Sequence, residues 1–214
     1  MQIKSKQRVV DHGEVFTSER EVNAMLDLVK QETDRIESRF LEPACGTGNF
    51  LIEVLRRKLD VVENRYKKSK LEYERYAVLA VSSLYGVDIL EDNVIHCRER
   101  LFDYFDKRYT KLYGAECSDE CRASVKFILS KNILWGDALT MKTVCGKKDP
   151  IVFAEWSAVN GSMIKRRDYS LAHLLAYQPM EGMTLFSDLG ESAFIPKPVK
   201  EFPLMHFLRL TDDE

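Results

Sequence analysis

Three acidic residues each close a short apolar run. Glu42 follows Phe40-Leu41, Asp88 follows Leu84-Tyr85-Gly86-Val87, and Asp137 follows Ile133-Leu134-Trp135-Gly136. Short apolar runs bounded by turn residues read as buried strands of a parallel sheet. An acid at the carboxyl end of such a strand stands where open α/β sheets receive a ligand's hydroxyls, amines or ammonium group. After the first run the chain continues Pro43-Ala44-Cys45-Gly46-Thr47-Gly48-Asn49-Phe50. Glycine has no Cβ and tolerates positive φ, so a Gly-x-Gly turn lets the backbone pass close to a ligand. The pattern lacks the third glycine of the dinucleotide fingerprint, because Leu51 follows Asn49-Phe50, and it lacks the Gly-Lys-Ser/Thr ending that holds a triphosphate. NAD and ATP are therefore not the expected ligands.

The stretch Glu42 to Phe50 resembles motif I of the S-adenosylmethionine-dependent methyltransferases, in the form found in the adenine-N6 DNA methyltransferases of restriction–modification systems. The resemblance implies that Pro43, Ala44, Cys45, Gly46, Thr47, Gly48, Asn49 and Phe50 form the turn against the methionine part of S-adenosylmethionine, with Glu42 facing its ammonium group. Asp88, followed by Ile89, is then the acid for the ribose hydroxyls. Asp137, followed by Ala138, matches the third motif, whose acid receives the exocyclic amine of adenine. Upstream, Phe16-Thr17 matches two residues of the family's Phe-Thr-Pro element, which folds over the cofactor; Ser18 stands in place of the proline. Phe16 is equally readable as a hydrophobic staple onto the following helix.

The likeness stops where the chemistry should begin. Adenine-N6 methyltransferases carry an Asn/Asp-Pro-Pro-Tyr/Phe motif after the fourth strand, which polarises the target amine while the aromatic ring stacks on the flipped base. No such tetrapeptide occurs in the chain; Asp149-Pro150 precedes the apolar run Ile151 to Ala154, and Gln178-Pro179 lacks the second proline and the aromatic. Where the motif is expected the residues are Glu155 to Gly161, and Glu155, Trp156 and Asn160 are the catalytic candidates that this segment offers. About 60 residues follow Phe153 in a chain of 214, too few for the remaining catalytic strands together with a region that reads DNA sequence. The expectation is half of a site. One reading is a split enzyme, completed by a second protein chain that brings the missing motif and the target recognition region to adenine in duplex DNA. Another is a catalytically inactive cofactor-sensing or scaffold subunit, and a more remote one is a small-molecule or RNA methyltransferase.

A formal net charge of −2 gives no global field that would draw the chain onto DNA. A basic surface would have to come from Arg56-Arg57-Lys58, Lys67-Lys68-Ser69-Lys70 or Lys165-Arg166-Arg167, or from the partner; the first two groups read as solvent-facing and the third, before Leu171, Leu174 and Leu175, either as a solvated charged face, the commoner role of such a cluster, or as a contact with phosphates or another chain. Cys45, Cys97, Cys117, Cys121 and Cys145 form no zinc-ligand set and read as reduced thiols, Cys45 as a small packed residue of the turn. No metal is expected. No apolar run is long enough to span a membrane, and a cytoplasmic location is expected.

These residues need elements to hold them. Val22, Met25, Leu26 and Val29 recur at helical spacing, and Ser18 with Glu21 makes a capping box before them. Helices are expected from Asn49 to about Lys68, over Leu71 to Val81 and over Glu91 to Tyr109, with strands at Arg39 to Glu42, Leu84 to Asp88, Ile133 to Trp135 and Ile151 to Ala154. Gln178 to Pro203, with four of the six prolines, reads as loop. The expected fold is α/β, a Rossmann-like class I methyltransferase fold with a parallel sheet flanked by helices, incomplete. Its domains are an amino-terminal helical cap over 1–36, a cofactor-binding core over 37–155 and a basic, loop-rich tail over 156–214 that contacts a partner or DNA.

Overall fold

Ser18 opens the first helix as the sequence expects. Its Oγ accepts the amide of Glu21 and the Glu21 carboxylate accepts the amide of Ser18, a complete capping box that starts helix α1, Glu19–Leu28, with Val22 and Leu26 buried. The computed structural model describes Arg8, residues 17–175 and residues 197–213; Phe16 and the stretch 178–196 of the expected loop lie outside them. A short helix α2, Lys30–Thr33, leads to strand β1, Phe40–Glu42. Helix α3, Asn49–Tyr66, helix α4, Lys70–Ser82, strand β2, Leu84–Asp88, helix α5, Glu91–Tyr113, helix α6, Asp119–Asn132, and strand β3, Ile133–Asp137, follow. Ser118 caps helix α6 by accepting the amide of Cys121.

β1, β2 and β3 are parallel and adjacent, with Phe40 opposite Leu84 and Gly86 opposite Ile133, and the two-residue strand β4, Lys142–Thr143, pairs antiparallel on β3. Alternation along β2 sorts its side chains to two faces. Leu84 joins Leu51, Leu55, Leu59, Val78, Leu101 and Ile128 in the large core beneath the helices. Tyr85 and Val87 join a small cluster with Ile151, Phe153 and Leu171 on the opposite face. Helices α3 to α6 thus cover one face of the parallel sheet.

The fourth strand departs from expectation. It runs as β5, Val152–Ala158, and pairs antiparallel with β6, Met163–Ser170, which pairs in turn with β7, Lys200–His206. The reason is local. Asn160-Gly161 turns the chain within a few residues, with Gly161 at φ 56°, the Val159 amide bonded to the Met163 carbonyl and the Met163 amide to that of Asn160. A parallel neighbour would need a crossover of about a dozen residues or more. The boundary after 155 falls within β5, and the described residues of 156–214 carry β6, β7 and the short helix α7, Leu171–Leu175. Pro203 is accommodated because β7 is an edge strand. β5 crosses the second face of the parallel sheet diagonally: Ile151 fills the space left by Gly136 near the end of β3, while Trp156 Nε1 donates to Asn132 Oδ1 just before β3 begins.

Lys58 corrects a second expectation. Instead of facing solvent it is fully buried, its Nζ donating to the carbonyls of Ile36 and Ser38 and to Ser83 Oγ, above the ring of Phe40. It ties the approach to β1 to the approach to β2.

Candidate functional site

Parallel pairing sets the carboxyl ends of β1, β2 and β3 side by side, which brings Glu42, Asp88 and Asp137 to the same end of the sheet. The turn after Glu42 is held from beneath. Cys45 donates its amide to the Val87 carbonyl at 2.9 Å, and Gly48 donates to the Cys45 carbonyl at 2.8 Å. Gly46 and Gly48 adopt φ of 52° and 85°, and a Cβ on Gly48 would stand 2.7 Å from Cys97 Sγ. Both glycines are required by backbone, and the second by packing as well. The Cys45 thiol is buried against Gly86 as a small packed residue of the turn, and its hydrogen bond with Cys97 and its burial push its pKa up.

The acids differ in what they hold. Glu42 is half-buried, and desolvation raises its pKa while the Ala44 amide opposes the rise. Asp88, 8% exposed, is turned inward: Oδ2 accepts the Gly46 amide at 2.8 Å, and Oδ1 accepts the Leu90 amide at 2.9 Å and Asn93 Nδ2 at 3.2 Å. It fastens the glycine turn to β2. Asp137 forms a turn of its own, accepting the Leu139 amide and the Thr140 hydroxyl, and the Thr140 hydroxyl foremost holds its carboxyl below the usual range. Ile89 is exposed at the rim, and its carbonyl accepts Trp135 Nε1 at 3.0 Å.

Two further residues complete the rim. The Thr17 carbonyl accepts Asn49 Nδ2, which sets the start of α1 against the turn. Arg100 on α5 donates to the carbonyl and hydroxyl of Thr47 and to Asn49 Oδ1, clamping the exposed side of the turn. Arg100 has no signature in the sequence; it is one charge on the polar side of an amphipathic helix. Pro43 and Ala44 are exposed, Ala138 packs with the small cluster on the second face, and Phe50 faces Phe40 at 6.5 Å between ring centres, a packing role.

The structure does not bring Glu155, Trp156 and Asn160 together at this rim. Adjacent on β5, Glu155 and Trp156 point to opposite sides. Glu155 accepts from Arg39 at 2.5 Å and from Arg167 at 3.3 Å, and Trp156 is buried against Phe127 with its indole bonded to Asn132. Arg39 and Asn132 precede β1 and β3, so these contacts lie toward the end of the sheet opposite the glycine turn. Asn160 lies in the hairpin turn after β5. The basic groups are internally paired too. Lys165 meets Glu201, Arg166 meets Asp168, Arg167 meets Glu155, Arg56 meets Glu53 and Asp60, and Arg57 meets Asp27. Lys67 and Lys68 are exposed.

Among the described residues no group of His, Cys, Asp and Glu is arranged to hold a metal ion, and no helix is long and apolar enough to cross a membrane. Comparison with protein families, with curated proteins and with solved structures finds no match to this chain.

Proposed function

We propose that this chain is the S-adenosylmethionine-binding part of an adenine-N6 DNA methyltransferase, completed by a second polypeptide. The observation that carries the reading is the glycine turn at the carboxyl end of β1, with Gly46 and Gly48 at positive φ and an acid at each of three adjacent strand ends. The residues fit the cofactor. The turn presents backbone without Cβ, Glu42 offers a half-buried carboxylate to an ammonium group, Ile89 offers an exposed apolar edge to a base, and Asp137 a half-buried acceptor. Asp88 acts through the turn as well, since it holds the Gly46 amide; ribose hydroxyls would compete with that bond. When bound, S-adenosylmethionine supplies an electrophilic methyl group. This chain's part is to bind and orient that group, because Glu155, Trp156 and Asn160 do not converge beside it. Polarising the target amine falls to the partner, as does most of the contact with DNA phosphates, because the chain's Lys165–Arg167 cluster is already neutralised.

That same internal pairing favours a second reading, a cofactor-sensing or scaffold subunit with no transfer step. Calorimetric titration with S-adenosylmethionine tests the site itself: saturable binding weakened about tenfold or more by Glu42→Gln or Gly48→Val is expected, and no binding overturns both readings. Transfer of labelled methyl from S-adenosylmethionine to adenine-containing DNA, with the chain alone and with the protein encoded beside it, separates them. Label only with the neighbour supports the split enzyme. Binding without label in either case supports the sensing subunit.

A further inference from the structure

Among the described residues, two sheets end in unpaired edges that look into one groove. β1 is the outer strand of the four-stranded sheet, and β5 is the outer strand of the three-stranded one. In a parallel ladder the N–H and C=O of one residue point to the same side, and the Phe40 amide bonds to the Ser83 carbonyl; the polar groups of Leu41 therefore point away from β2. On β5 the odd residues turn toward β6, as the bond from the Leu171 amide to the Ile151 carbonyl fixes, which leaves Val152, Ala154 and Trp156 pointing outward. Tyr85 Oη donates to the Ala154 carbonyl at 3.1 Å, so the outer edge of β5 faces the second face of the parallel sheet.

Between the edges lie two cavities that meet at the Arg39–Glu155 ion pair. One, of about 300 Å³, is floored by Leu41, Tyr85, Phe153, Leu171 and Leu174; the other, of about 330 Å³, runs past Ser83 and Trp156 toward the start of the strands. Leu41 is 42% exposed on this side, a large apolar side chain beside unpaired backbone. At the crossing Arg39 and Arg167 flank the carboxylate of Glu155, with Glu37 farther along the second cavity, and the Arg39 side chain is 58% exposed. Glu155 also accepts from Arg167 and the Ser157 hydroxyl, so it would retain two donors if a competing carboxylate took Arg39.

We infer that this groove receives an extended segment of another polypeptide, which adds as a strand to the Leu41 edge. That segment carries an apolar side chain for the cavity and, two residues away on the same face, a carboxylate that takes Arg39 from Glu155. Strand addition draws affinity from main-chain hydrogen bonds and specificity from alternate side chains. It also removes the exposed edge that proteins otherwise have to blunt. The inference supplies a docking site for the completing partner and rests on that reading only for the partner's role; the groove itself is independent of the cofactor.

The test uses the full chain and a blocked peptide, acetyl-Thr-Glu-Thr-Leu-Thr-Leu-amide, whose glutamate and leucines share one face. Saturable binding by fluorescence anisotropy is expected, lost on N-methylation of the peptide backbone and weakened about tenfold or more when lysine replaces the glutamate. Arg39→Ala and Leu41→Glu change exposed side chains and are expected to weaken it likewise, with slowed amide exchange at Leu41 on peptide addition to the unmodified chain. The inference is overturned if the N-methylated or lysine peptide binds as well as the parent, or if nothing saturates. It is also overturned if the Leu41 amide is already protected in the chain alone, or if the chain is a dimer that Leu41→Glu dissociates. S-adenosylmethionine affinity measured on the same variants is expected to be unchanged, which separates failure of the groove from failure of the cofactor site.

Discussion

The parallel strands and the antiparallel ones are built to opposite plans. β1, β2 and β3 are short and joined through long helices, and both connections pass over the same face. β5, β6 and β7 carry alternate charged residues that pair across strands, Arg167 with Glu155 and Lys165 with Glu201, and their apolar residues reach the parallel sheet along one diagonal; Arg39 reaches Glu155 from just before β1. The first plan delivers three strand ends to one rim and fixes a turn there. The second closes part of the remaining face, and among the described residues the outer edges of β1 and β5 stay unpaired. A ligand rim needs the first region rigid, whereas the second can change its partner without disturbing that rim.

The largest effect is expected at the base of the parallel region. Burial lowers the pKa of Lys58 to about 7, while its three acceptors favour the charged form. In the unfolded chain the group titrates near 10.4. Between about pH 7 and 10.4 the unfolded state then binds more protons, so the Lys58 contribution to stability rises with pH, by up to about 1.4 kcal/mol per unit. Chemical denaturation of the wild type and of Lys58→Met at several pH values reads this as a difference, which removes the titration of cysteines and tyrosines. The variant is expected to lose about 2 kcal/mol or more near pH 9, because the Ile36 and Ser38 carbonyls lose their buried donor, and to lose less at pH 7. A pH-independent difference would mean that Lys58 stays charged throughout.

Next in size is the turn. Gly48→Ala forces a side chain into φ of 85° and against Cys97 Sγ. The left-handed backbone alone costs about 1–2 kcal/mol. In the double variant with Cys97→Ala the contact is relieved and the backbone cost stays, so a recovery of part of the loss is expected. Complete recovery would show that packing, not φ, demands the glycine.

The parallel region was legible because its signals are local. Residues 40–50 announce strand, turn and helix in sequence, and Ser18 with Glu21 announces the cap. Lys58 was legible too, since it falls on the apolar stripe of Leu51, Val54, Leu55, Leu59 and Val62; its charge hid its place. Likewise Asn160-Gly161 is a hairpin signal, overshadowed by the expectation of a parallel strand there. What no local pattern held was the pairing of Arg100 with the turn and of Glu155 with Arg39, which depend on residues 53 and 116 positions apart.

A smaller effect should mark the antiparallel region. Trp156→Phe keeps the ring against Phe127 and removes the indole donor to Asn132. Asn132 still donates to the Ser82 and Leu84 carbonyls, so only its Oδ1 loses a partner, and about 1 kcal/mol of stability is expected to go. Cofactor affinity should not move. A joint loss of affinity and stability would tie the two regions together and defeat the division drawn between them.

Ser18→Ala gives the smallest change and the finest division. It deletes the Oγ acceptor of the Glu21 amide in an exposed cap, at about 1 kcal/mol of helix stability or less. Yet α1 begins beside the turn, where the Thr17 carbonyl holds Asn49 Nδ2. If α1 is only a cover for the core, affinity for S-adenosylmethionine should follow global stability and stay constant while the chain is folded. If the start of α1 orders the rim, affinity should fall in the folded chain and recover with Ser18→Asp, which restores an acceptor at the cap. Recovery of affinity with the acceptor, measured by calorimetry well below the unfolding temperature, would make the amino-terminal helix a working part of the rim.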